Sequence, residues 1–121
     1  MVGRYYFVPI VQLFICSYSF YLFHFLVGVN FIDTAEIYPV PTKAETQGST
    51  DAAIAKFLKS RKREEIILAT KVAGRSDQMT WLRDNGEGSK VTRSQILESV
   101  DKSLKRLGTE YIDLLQIHWP G

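Results

Sequence analysis

Four polar side chains stand where short apolar runs give out. Asp33 and Tyr38 lie in GVNFIDTAEIYP (Gly28 to Pro39), Lys71 in EEIILATKV (Glu64 to Val72) and His118 in YIDLLQIHWP (Tyr111 to Pro120). A carboxylate, a phenol, an amine and an imidazole form a set suited to proton transfer beside a polarised carbonyl. A buried ammonium needs a partner, because an isolated one costs several kcal/mol even after relaxation. Asp33 is a natural counter-charge. A cation held near Tyr38 is expected to stabilise its phenolate and lower its pKa from about 10. Tyr38 then donates a proton to a developing alkoxide, or removes one in reverse, while His118 orients the carbonyl oxygen. Nothing in the set can deliver hydride, so a nicotinamide cofactor is implied.

Each residue also has a plainer reading. Asp33, followed by Thr34, can cap a turn, and Tyr38 beside Pro39 can pack as a loop aromatic. Lys71 can end its strand by snorkelling, and His118 can be a satisfied core histidine. The case for chemistry rests on the four meeting in space.

The elements between them decide that. Val29 to Ile32 reads as a short buried strand, followed by a loop to about Gly48 marked by Pro39 and Pro41. Ala53, Ile54, Phe57 and Leu58 recur at helical spacing, so residues 50–60 read as an amphipathic helix with Ser49, Thr50 and Asp51 available as caps. Ile66 to Val72 is the next strand, and Gly74 to Lys90 a polar loop in which Met79, Trp81 and Leu82 can pack locally. Thr92 and Gln95 form a capping box. After it, Ile96, Leu97, Val100, Leu104 and Leu107 make an apolar stripe, and Gly108 supplies a left-handed exit. Ile112 to His118 is the last strand, with Leu114, Gln116 and His118 on one face and Leu115 and Ile117 on the other.

The order β-α-β-α-β predicts a parallel sheet with right-handed crossovers. The steps from Asp33 to Lys71 and from Lys71 to His118 are 38 and 47 residues, each enough for a strand, a helix and two loops. Parallel neighbours of this kind gather all four side chains at one end of the sheet, where α/β proteins place their sites. The first turn, DTAEIY, lacks the glycine-rich phosphate loop of doubly wound nucleotide-binding folds.

Composition narrows the rest. The chain has 121 residues and a formal net charge of +2, with acids and bases interspersed and no basic, aromatic-studded stripe suited to nucleic acid. The densest charge, RKREE (Arg61 to Glu65), reads as a solvated helix end. A single cysteine, Cys16, excludes an internal disulfide, and neither it nor His24 and His118 has metal-ligand spacing. A reduced, cytoplasmic setting is the default.

One segment stands apart. Arg4 is the sole charged residue ahead of Asp33, and Tyr5 to Val27 is a 23-residue run of mainly aromatic and aliphatic residues. It is about as long as the roughly 20 residues needed to span a bilayer as a helix, although Pro9 would break an early turn. Three readings stay open: a signal peptide with an overlong apolar part, a membrane anchor, or a tract that a truncated or misjoined coding region leaves behind. Residues 1–27 are accordingly set apart from a domain spanning 28–121.

GVNFIDTAEIYP, ILATKV and DLLQIHWP, in this order and at these intervals, resemble the aldo-keto reductases. AEIYPVP and WLRDNG (Trp81 to Gly86) are most similar to the branch holding the bacterial Tas-type proteins and their plant relatives, near the potassium-channel β subunits. The resemblance covers about Val27 to Pro120. It implies part of a (β/α)8 barrel, about strands two to four with two crossover helices, in an NADPH-dependent oxidoreductase that reduces aldehydes or ketones to alcohols. It also implies a catalytic tetrad: Tyr38 as proton donor, Lys71 and Asp33 as its tuning pair, and His118 as the substrate-orienting group. Asp33 is the one cofactor contact it places here. Family members are roughly 300 residues long, so the resemblance implies that this polypeptide alone is inactive and exposes surfaces meant to be covered. The alternative is a non-catalytic regulatory module of the same fold, attached to a membrane through residues 5–27.

Overall fold

The computed structural model describes residues 18–121. Its regular elements are α1 (Tyr18–Leu26), β1 (Phe31–Asp33), α2 (Ser49–Leu58), β2 (Ile67–Val72), α3 (Arg93–Leu107) and β3 (Leu114–Ile117), with single 3₁₀ turns at Arg63–Glu65 and Thr80–Leu82. The three strands form one parallel sheet in the order β1-β2-β3. This is the α/β arrangement that the alternating sequence pattern predicts.

Register fixes which side chains share a face. Asp33 lies opposite Ala69, Ala69 opposite Leu114, and Lys71 opposite Gln116. The ladder continues past the regular strands: Thr34 N–H donates to Ala69 O (2.9 Å), Glu36 N–H to Lys71 O (3.1 Å) and His118 N–H to Val72 O (2.9 Å). Alternation then places Asp33, Lys71 and His118 on one face, while Ile32 and Leu68 turn to the helices.

The main apolar core lies on that helical side. Ile32, Ile54, Phe57, Leu58, Ile66, Leu68 and Leu107 are buried together, and α1 adds Tyr21 with Phe20, Leu22 and Phe25 packed against it. Residues 18–26 thus sit on α2 as a nine-residue helix. No described helix is long and apolar enough to cross a membrane. Residues 5–17 of the expected anchor lie outside the described part.

Several local expectations need correction. Ser49, Thr50 and Asp51 do not cap α2: its N-cap is Gly48, at φ 83°, and Asp51 is turned inward instead. The capping box of α3 is half made. Thr92 accepts from Gln95 N–H, but the Gln95 side chain bonds Lys90 N–H, Gly88 O and Arg83 rather than reaching back to Thr92.

The largest difference concerns the face that α3 buries. Gln95, Ser99, Ser103 and Leu107 point inward, whereas Ile96, Val100 and Leu104 are half-buried and Leu97 is 47% exposed. The small polar row is inside because a charged network from the preceding loops meets it there. The apolar stripe is left partly or fully open, and Leu115 and Ile117 of β3 are exposed as well.

RKREE is less solvated than its composition suggests. Arg63 lies over the Tyr111 ring (3.9 Å), pairs with Asp113 (2.7 Å) and donates to Ile66 O (2.7 Å), tying the entry of β2 to that of β3. At the C-terminal end of α3, Gly108 adopts φ 64° and its N–H donates to Leu104 O, the left-handed exit expected there.

Candidate active site

All four chemistry-bearing residues occupy the C-terminal end of the sheet. Lys71 Nζ lies 2.6 Å from Asp33 Oδ2 and 3.0 Å from Thr34 O. It faces the Tyr38 ring at 5.5 Å from the centroid. The rings of Tyr38 and His118 meet edge-to-face, with centroids 5.7 Å apart and planes at 82°. Trp119 flanks His118 at 5.1 Å. Two residues from neighbouring strands supply the ion pair, a loop supplies the phenol, and the residue just past β3 supplies the imidazole.

Trp119 also explains Gly74. A Cβ at Gly74 would collide with the Trp119 carbonyl and indole ring, so only hydrogen leaves room for this approach. The indole N–H donates to Arg75 O (3.0 Å), which braces the chain just beyond His118 against the loop after β2.

Electrostatics correct one expectation. The Tyr38 pKa is raised rather than lowered, first by burial of the ring and then by the Asp33 carboxylate. The lysine does not reverse this because its hydrogen bonds go to Asp33 and Thr34 rather than to the phenol oxygen. Tyr38 is therefore a protonated acid at neutral pH. His118 has its pKa lowered, mainly by burial and next by Lys71, with Asp33 and Glu36 opposing. Its imidazole is accordingly neutral at pH 7.

Two atoms at this rim are buried without a partner among the described residues: Asp33 Oδ1 and His118 Nδ1. Buried polar groups are ordinarily paired. An unmatched carboxylate oxygen suits a hydroxyl donor such as that of a ribose, and the imidazole suits a polar ligand; the residues present fit a nucleotide cofactor on these grounds.

Sequence reasoning missed what lies beneath the rim. Glu36 and Arg83 form a buried ion pair, with Nη1–Oε2 2.9 Å and Nη2–Oε1 3.0 Å. Asp51, also buried, accepts from Thr34 Oγ1 (2.9 Å) and Arg106 Nε (2.9 Å). Desolvation raises the Asp51 pKa against the opposing pull of Arg106 and Thr34. The available signal was the row Gln95, Ser99 and Ser103: three small or polar residues at four-residue intervals mark a helix face that meets polar groups.

Comparison with known proteins accords with this geometry. The model of the aldo/keto reductase family matches residues 22–121. The chain belongs to the aldo-keto reductase family. The match begins within α1, ahead of the boundary expected at Gly28. Protein tas of Escherichia coli is 45% identical over 98 residues, covering 77% of this chain and 27% of that protein. Aldo-keto reductase YhdN of Bacillus subtilis is 39% identical over 94 residues, covering 77% and 24%. The similarity to Protein tas accords with the Tas-type branch. Among solved structures, the thermostable aldo-keto reductase Tm1743 superposes with a TM-score of 0.63 at 30% identity, covering 86% of this chain and 30% of its own. The chain thus spans about a quarter of the length of the curated relatives it matches. Its three-stranded sheet corresponds to part of the family's TIM barrel.

Proposed function

We propose that this chain carries the catalytic rim of an NADP(H)-dependent oxidoreductase that reduces aldehydes or ketones to alcohols. The observation supporting it most is the juxtaposition of a protonated, half-buried phenol with a neutral imidazole and a lysine–aspartate pair. When bound, the nicotinamide supplies hydride to the carbonyl carbon. Tyr38 releases its hydroxyl proton to the carbonyl oxygen as that oxygen gains charge. The nearby ammonium of Lys71 favours the phenolate left behind, and Asp33 holds that ammonium in place. His118, uncharged, directs the carbonyl by hydrogen bonding. Asp33 Oδ1 is the atom assigned to the cofactor's ribose, and the substrate is a small carbonyl compound.

In this reading the described strands are the second to fourth of the barrel. The setting is cytoplasmic, on a composition with one cysteine. The 121 residues alone have no turnover, because Asp33 is the sole cofactor contact proposed within them.

The test is a chimera in which residues 28–121 replace the matching segment of Bacillus subtilis YhdN. The folded chimera is expected to oxidise NADPH in the presence of an aromatic aldehyde. Tyr38→Phe is expected to lower kcat by about 10²- to 10⁴-fold, the usual share of general acid catalysis, while cofactor binding persists. A Tyr38→Phe chimera at full rate, or a folded chimera without turnover, would overturn the proposal.

A further inference from the structure

Glu36 stands two residues before Tyr38, and every polar atom it has is engaged. Its N–H donates to Lys71 O (3.1 Å) and its carbonyl accepts from Gln47 Nε2 (3.0 Å). Carboxylate Oε1 accepts from Ala73 N–H (2.6 Å) and Arg83 Nη2 (3.0 Å). Oε2 accepts from Arg83 Nη1 (2.9 Å) and Ser99 Oγ (2.7 Å). One residue therefore ties the segment between Asp33 and Tyr38 to the end of β2, to the loop after it and to α3. Arg83 is anchored in turn by Gln95 Oε1 (3.1 Å) and by Leu82 O (3.2 Å).

Net stability is a weak reason for such a pair, since well-packed apolar residues of similar volume often do as well or better. Direction is the stronger reason. A forked guanidinium meeting a carboxylate at two points fixes angle as well as distance. The loop fixed in this way carries the phenol, and its other end is held by the Thr34–Asp51–Arg106 chain.

We propose that Glu36 and Arg83 are positioning residues, a two-pronged clamp that sets Tyr38 against His118 and Lys71. The clamp touches neither substrate nor cofactor. It acts through the Glu36–Tyr38 segment, and it rests on the reading of Tyr38 as the proton donor.

The test uses the 121-residue chain and two variants. Arg83→Lys keeps the positive charge but loses the fork. Glu36→Gln with Arg83→Met replaces two opposite charges by two neutral groups; loss of the Glu36 carboxylate by itself moves the His118 pKa further down, so an upward move there reports geometry rather than charge. In the unaltered chain, nuclear Overhauser cross-peaks between the Tyr38 and His118 rings are expected, with His118 titrating below its ordinary range. In both variants those cross-peaks should weaken several-fold and His118 should titrate closer to an exposed imidazole. In the chimera, Arg83→Lys should lower kcat by up to about 10²-fold with KM little changed, the scale of effect that a 1 Å misplacement produces. If Arg83→Lys does not fold, the neutral double variant is read alone; if neither folds while the unaltered chain does, the pair is structural and the clamp is refuted. Folded variants with unchanged cross-peaks, titration and kcat would refute it too. Absence of cross-peaks in the unaltered chain would count against the site itself.

Discussion

Two acid–base pairs lie within a few residues of each other, and they are built on opposite terms. Glu36 and Arg83 have side chains 1% and 0% exposed, and no polar atom of either is among the described buried atoms lacking a partner. Asp33 and Lys71 are 34% and 13% exposed, and Asp33 Oδ1 is buried with nothing to accept. A saturated network has no capacity for a ligand, whereas an unsaturated one does. The first pair reads as scaffold and the second as working surface, although sequence alone presents both as an acid and a base far apart.

Substitutions can break this contrast or sharpen it. Arg83→Met alone strands the Glu36 carboxylate in a dry interior and should destabilise by about 3–5 kcal/mol, the cost of removing one partner of a buried pair. Chemical denaturation of the variant measures it, and a loss near zero would mean that the network is wetter than its geometry indicates. Asp33→Asn should be far milder, about 0–1 kcal/mol, because the pair is partly exposed and Lys71 keeps its bond to Thr34 O. A loss as large as that of Arg83→Met would erase the distinction.

The smallest effect concerns protons. His118 titrates below its ordinary 6.5, so between the two values the unfolded chain binds more protons than the folded one. Stability therefore rises with pH through that window and falls as the solution is acidified. Lys71→Met removes a cation that lowers the His118 pKa and should narrow the window by moving it upward. Ring-proton titration by magnetic resonance checks the direction; a downward move would contradict the arrangement.

The contrast also marks where sequence reading succeeded. The shared rim of Asp33, Lys71 and His118 was legible because alternation along the parallel strands fixes the face of each residue, and Tyr38 follows Asp33 closely enough on the loop after β1 to stay beside them. Two helices at the expected places followed from their apolar spacing. The face of α3 was not legible. A stripe such as Ile96, Val100 and Leu104 ordinarily marks the buried side, but here the row Gln95, Ser99 and Ser103 was drawn inward by Arg83 and Glu36, whose pairing spans 47 residues of chain. The direction of the Tyr38 pKa was hidden for a similar reason. Proximity of a lysine was foreseeable, but the direction of its hydrogen bonds was not.

Gly74 has no room for a side chain. The volume a methyl group would occupy there is already filled by the indole that follows His118. Any drift at this position would push on the imidazole through carbon and not through charge. A survey that altered only acids, bases and hydroxyls would pass over it, and a chain with every proton-carrying group intact could still be mute.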